Sequence, residues 1–63
     1  MDKSEVINII ESTYGSFING ALVIDNMNEM DVRSNLKRIL PNINIDVYVT
    51  ITQFDKMTII KMW

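Results

Sequence analysis

From Ile43 to Thr52 apolar and polar residues alternate without a break. Successive side chains of a β-strand point to opposite faces, so this period of two describes a strand with one buried and one wet side. Ile43, Ile45, Val47, Val49 and Ile51 would face inward, and Asn44, Asp46, Tyr48, Thr50 and Thr52 outward. Such an oily row needs a covering layer, and helices are the natural cover.

Two helical segments are available. Residues 2–13 carry Val6, Ile9, Ile10 and Thr13 at helical spacing, with Asp2 as cap and Glu5 three residues later in the capping-box position. Gly15 follows as a stop, because glycine tolerates the backbone that ends helices. Residues 29–40 form the second helix, with Asn28 as N-cap and Met27 and Val32 in the positions of a hydrophobic staple. Glu29 and Asp31 open it and Lys37 and Arg38 close it, a charge order that complements the helix dipole. Its apolar stripe is Val32, Leu36, Ile39 and Leu40, and Pro41 ends it.

The remaining segments read as strands. Ala21–Ile24 is β-forming and stops at Asp25-Asn26. Asn19-Gly20 before it is the favoured pair for a two-residue hairpin turn. Either the chain turns there and Ser16–Ile18 is a short extra strand, or Gly20 lies in a bulge of one longer strand. The alternating strand runs on to about Gln53, Phe54–Met57 is a break of hairpin length, and Thr58–Trp63 is the last strand.

The order helix, strand, helix, strand, strand predicts an α+β fold in a single domain over residues 1–63. It is a small two-layer sandwich, with two helices on one face of a three- or four-stranded mixed sheet. The connection through the second helix is long enough for a crossover that makes the first strand and the alternating strand parallel. The last strand is expected to offer an open sheet edge. The face away from the helices would carry Tyr48, Thr50, Thr52 and Phe54 with Ile60 or Trp63, and is the candidate partner surface.

Size and composition narrow the function. A domain of 63 residues buries only about 60% of its unfolded surface, so small domains recruit a staple. With no Cys and no His, disulfides and the common zinc sites are excluded, and oligomerisation, as a homodimer or a hetero-complex, is the staple left. A net charge of −2 argues against non-specific binding to nucleic acid or to an anionic membrane. No apolar run approaches the ~20 residues that span a bilayer, and the opening Met1-Asp2-Lys3-Ser4-Glu5 is not a secretory signal. The lack of Cys fits a cytoplasmic location.

Catalysis by His or Cys is excluded. Ser34-x-x-Lys37 matches a pattern of serine acyl-transfer enzymes but lies inside a helix, without the cleft that chemistry needs. Gly15 and Gly20 have the spacing of phosphate-loop glycines, yet Ala21-Leu22 stands where Lys-Ser/Thr is required. Asp25, Asn26, Asn28, Glu29 and Asp31 are rich in oxygen but break the calcium-loop pattern at Met27, and capping explains them. No catalytic residue, metal or cofactor is expected.

Two candidate binding sets remain. Arg33, Lys37 and Arg38 on the outer face of the second helix could meet an anion; alternatively they form an ordinary solvated face, with Arg33 paired to Glu29 four residues away. Tyr48, Phe54, Met62 and Trp63 could anchor a protein partner, since aromatic residues and Met dominate interface energetics. Packing over the chain's own core is the other use of Trp63. The expected function is a small non-enzymatic protein-interaction module: an inhibitor, adaptor or regulatory subunit, of the kind viruses and mobile elements encode, acting on a protein partner or as a homo-oligomer. The alternative is a nucleic-acid-binding regulator using the basic face of the second helix.

Overall fold

A computed structural model describes residues Met1–Trp63. Helix α1 spans Lys3–Tyr14, strand β1 Ala21–Asp25, helix α2 Glu29–Ile39, strand β2 Val49–Phe54 and strand β3 Met57–Met62, with a 3₁₀ turn at Ile45–Val47. The two-layer α+β arrangement is as expected, with both helices against one face of the sheet.

Local chemistry sets the helix ends. The Asp2 carboxylate accepts from the Glu5 N–H at 2.9 Å, and the Glu5 carboxylate accepts in return from the Asp2 N–H, completing the capping box. At the other end the Gly15 N–H donates to the Glu11 carbonyl at 2.9 Å. In α2 the Asn28 side chain accepts from the Asp31 N–H at 2.8 Å. A bond from Asn35 Nδ2 to the Tyr14 hydroxyl, 2.9 Å, joins the two helices.

The strand order is β1-β3-β2, and both pairings are antiparallel. The sheet is therefore antiparallel rather than mixed. β1 and β2 do run in the same direction, as the crossover through α2 requires, but β3 lies between them. This overturns the expectation that the last strand is an open edge: it is the central strand, hydrogen-bonded on both sides. Asp55-Lys56 makes the tight turn from β2 into β3, with Asp55 at φ 55°.

Asn19-Gly20 does form a two-residue turn. Ile18 and Ala21 exchange both backbone hydrogen bonds, at 2.8 and 3.1 Å, and both turn residues have positive φ, as a type I′ turn demands. Only this single bridge precedes the turn, so Ser16–Ile18 is not a fourth strand.

The alternating segment is also shorter as a strand than its pattern predicts. The Asn44 side chain accepts from the Asp46 N–H at 3.2 Å, and Val47 and Tyr48 close 3₁₀ bonds to Asn44 and Ile45. Asn competes with the sheet ladder in this way when its side chain can satisfy nearby backbone. Val49 faces Met62 and Tyr48 faces Trp63, so residues 43–47 lie past the last paired position. Ile43 and Ile45 still pack against the core, half-buried, but Val47 turns to solvent.

The core joins Val6 and Ile10 of α1, Val32 and Leu36 of α2, Leu40, and the inner face of the sheet: Leu22, Ile24, Val49, Ile51 and Ile60. Thr58 is the single buried polar residue, and its hydroxyl donates to the Met27 carbonyl at 2.8 Å.

Candidate functional site

Residues paired across an antiparallel ladder share a face. Leu22, Ile60 and Ile51 form one row across the helix-covered side, so the neighbouring positions in each strand form the other side. Three rows cross it: Ala21, Lys61 and Thr50; Val23, Ile59 and Thr52; Asp25, Met57 and Phe54. No helix covers these residues. Val23 is 52% exposed and Phe54 63%, while Ala21, Met57 and Ile59 are half-buried. Ile18, 72% exposed, pairs beside Ala21 and extends the first row.

The apolar members are not scattered. Ile18, Ala21, Val23, Ile59, Met57 and Phe54 form a diagonal band from the start of β1 to the end of β2. Asp25 lies on one side of the band; Lys61, Thr50 and Thr52 lie on the other. Contiguous apolar surface rimmed by polar groups is the usual character of an interaction site.

The four aromatic and Met candidates do not converge. Phe54 closes one end of β2, while Tyr48 precedes the other end, six residues and about 20 Å away. Met62 pairs with Val49 and is half-buried on the helix side of the sheet. Tyr48 packs partly into the core, and its hydroxyl donates to the Met1 carbonyl at 3.1 Å. Trp63 is 70% exposed; its indole N–H donates to the Asp46 carbonyl at 2.9 Å, and its backbone oxygen accepts from the Lys3 ammonium. Tyr48 and Trp63 thus join the two ends of the chain, and of the four only Phe54 lies on the band. Ile60, expected on the open face, is fully buried on the other.

The band's remaining members carried a signal in the sequence. Val23 stands two before Asp25, and Ile59 two before Lys61, so each shares a face with a charge that must be wet. Runs of apolar residues on both sides hid that parity.

On α2, Arg33 is engaged twice. Its Nε donates to Glu29 at 2.9 Å, and its Nη1 to Asp46 at 3.0 Å. The hydrogen bonds to Glu29 and Asp46 raise its pKa above the ordinary value, Glu29 contributing most. Arg38 donates to the Asn35 side chain at 2.6 Å, and Lys37 is exposed and makes no such contact. Two carboxylates therefore offset the charge of Arg33. A cleft of about 470 Å³ lies between α2 and residues 41–46, floored by Leu36 and Leu40 and rimmed by Arg33, Lys37 and Asp46. No cluster of three carboxylates offers a metal site, and no helix is long and apolar enough to cross a membrane.

Compared with family models, with curated proteins and with solved structures, the chain shows no significant match.

Proposed function

We propose that this chain is a small non-enzymatic protein-interaction module, an inhibitor, adaptor or regulatory subunit, that binds a protein partner through the helix-free face of its sheet. The single observation that supports this reading is the exposed diagonal band of Val23, Ile59, Met57 and Phe54. A 63-residue chain with only 11 buried residues has little core, and burying this band against a partner would add apolar contact that the monomer lacks. The lack of Cys fits action in the cytoplasm. The doubly paired Arg33 counts against the basic face of α2 as the primary contact.

Affinity capture from the native host, read by mass spectrometry, tests the proposal. The expected result is a protein retained by the wild type and by Lys37→Glu but lost with Val23→Asp. Capture that ignores Val23→Asp and vanishes with Lys37→Glu would reject the sheet face in favour of α2.

A further inference from the structure

We propose that Asn19 is a site of spontaneous covalent modification: the backbone nitrogen of Gly20 displaces its side-chain amide, and water then opens the resulting ring to aspartate or isoaspartate. Of the seven Asn residues in the chain only Asn19 precedes glycine. Asn8 and Asn35 lie inside helices, and the other four precede Met, Glu or Ile, whose Cβ crowds the attacking nitrogen.

The turn supplies both an anchor and a free pivot. Ile18 and Ala21 exchange both backbone bonds, and the Gly20 carbonyl accepts from the Met62 N–H at 2.9 Å. The peptide plane between Asn19 and Gly20 is held by nothing: neither its carbonyl nor its N–H has a hydrogen-bond partner, and Asn19 is exposed. The turn is type I′, with φ 52° at Asn19 and 80° at Gly20. Rotation of that one plane converts it to type II′, taking ψ of Asn19 to about −120° and φ of Gly20 to about −80°. Both types close a two-residue hairpin, so the Ile18–Ala21 pair survives, and glycine accepts either sign of φ. At that ψ the Gly20 nitrogen eclipses the Asn19 Cβ, which brings it within reach of Cγ in the geometry that attack requires.

The chemistry balances with water alone. The Gly20 nitrogen, having lost its proton to solvent base, attacks Cγ of Asn19. The N–Cγ bond forms, the Cγ–Nδ2 bond breaks, and the amide nitrogen leaves as ammonia with a proton from water. Water then adds to either carbonyl of the succinimide ring. Addition at Cγ breaks the new bond and gives aspartate; addition at the Asn19 backbone carbonyl breaks the original peptide bond and gives isoaspartate. Both products carry a carboxylate in place of the amide, a new negative charge beside the exposed Ile18. Aspartate keeps the turn, since Asp-Gly also suits type I′. Isoaspartate inserts a methylene into the backbone and ends the two-residue register between Ile18 and Ala21.

Incubation of the full chain in mildly alkaline buffer, followed by peptide mapping with mass spectrometry, tests this. The expected result is conversion confined to Asn19, giving both products, at a rate that rises with pH because only the deprotonated nitrogen attacks. Gly20→Asn keeps the left-handed turn but adds a Cβ to the attacking residue, and slows conversion of Asn19 by roughly tenfold or more. Urea below the unfolding midpoint raises the unfolded fraction by a factor that the urea melt itself measures. A reaction of the native turn ignores that change, whereas a reaction through the unfolded chain accelerates in proportion to it. No conversion at Asn19, conversion spread over the other Asn residues, an undiminished rate in Gly20→Asn, or a rate that follows the unfolded fraction would each overturn the proposal.

Discussion

Arg33 and Asp46 lie thirteen residues apart in the chain and 3.0 Å apart in space. Their ion pair ties the middle of α2 to the 3₁₀ turn that replaces the first half of the alternating strand. Both side chains are more than one-third exposed, so solvent screens the pair. Asp46→Asn is expected to lower stability by about 0.5 kcal/mol in urea unfolding at low salt, and by less at about 1 M salt. The raised Arg33 pKa contributes stability that is complete below the unfolded value and is lost only as pH climbs past the folded one. Guanidinium titration therefore adds no pH dependence near neutrality.

Thr58 is fully buried and satisfies the Met27 carbonyl just before α2. Thr58→Val keeps the shape and the β-branch but leaves that carbonyl without its donor. The expected loss is about 1–2 kcal/mol, read as a lower urea midpoint with an unchanged slope.

The two glycines should respond differently to the same substitution. Gly20 has φ 80° in the left-handed part of a type I′ turn, a region Asn tolerates. Gly15 has φ 116° and ψ −178°, a region open essentially to glycine alone. A Cβ at either site meets no atom within 4 Å, so the difference is purely one of backbone strain. Gly20→Asn is expected to cost less than about 1 kcal/mol and Gly15→Asn about 1–3 kcal/mol. Thermal melts of the two variants check the order; equal costs would contradict it.

Size of side chain does not rank the residues of β3 and its end. Ile60 is fully buried on the central strand, and Ile60→Ala removes about 2–5 kcal/mol. That is comparable to the ~3–9 kcal/mol expected for the whole chain, so the variant should lack a cooperative transition, while Ile60→Val loses only ~1 kcal/mol. Trp63 is larger but mostly exposed, and Trp63→Ala should cost about 1 kcal/mol through its bond to the Asp46 carbonyl. Near-ultraviolet and far-ultraviolet circular dichroism of the three variants separates these outcomes.

Much of the local structure was legible in the residues themselves. The Asp2–Glu5 capping box, the Asn28 cap and the Glu29–Arg33 pair depend on groups within four positions of one another, so their spacing in the sequence is their spacing in space, whereas Asn19-Gly20 left a turn and a bulge both open. The alternation from Val49 to Thr52 likewise set which side chains face the helices. The candidate binding face was only partly legible: Phe54 lay on it, while Val23 and Ile59 were hidden in apolar runs, and Met62, Tyr48 and Trp63 went elsewhere.

What the chain order alone determined was two capped helices, a hairpin and the inward facing of Val49 and Ile51, because caps, turns and side-chain period act over a few residues. Tertiary structure alone decided that β3 lies in the centre, that residues 43–47 leave the sheet, and that Val23, Ile59 and Phe54 share one open face. Strand order depends on which distant backbone groups find partners, and a segment without a neighbour takes whatever local hydrogen bonds its own Asn and Asp provide.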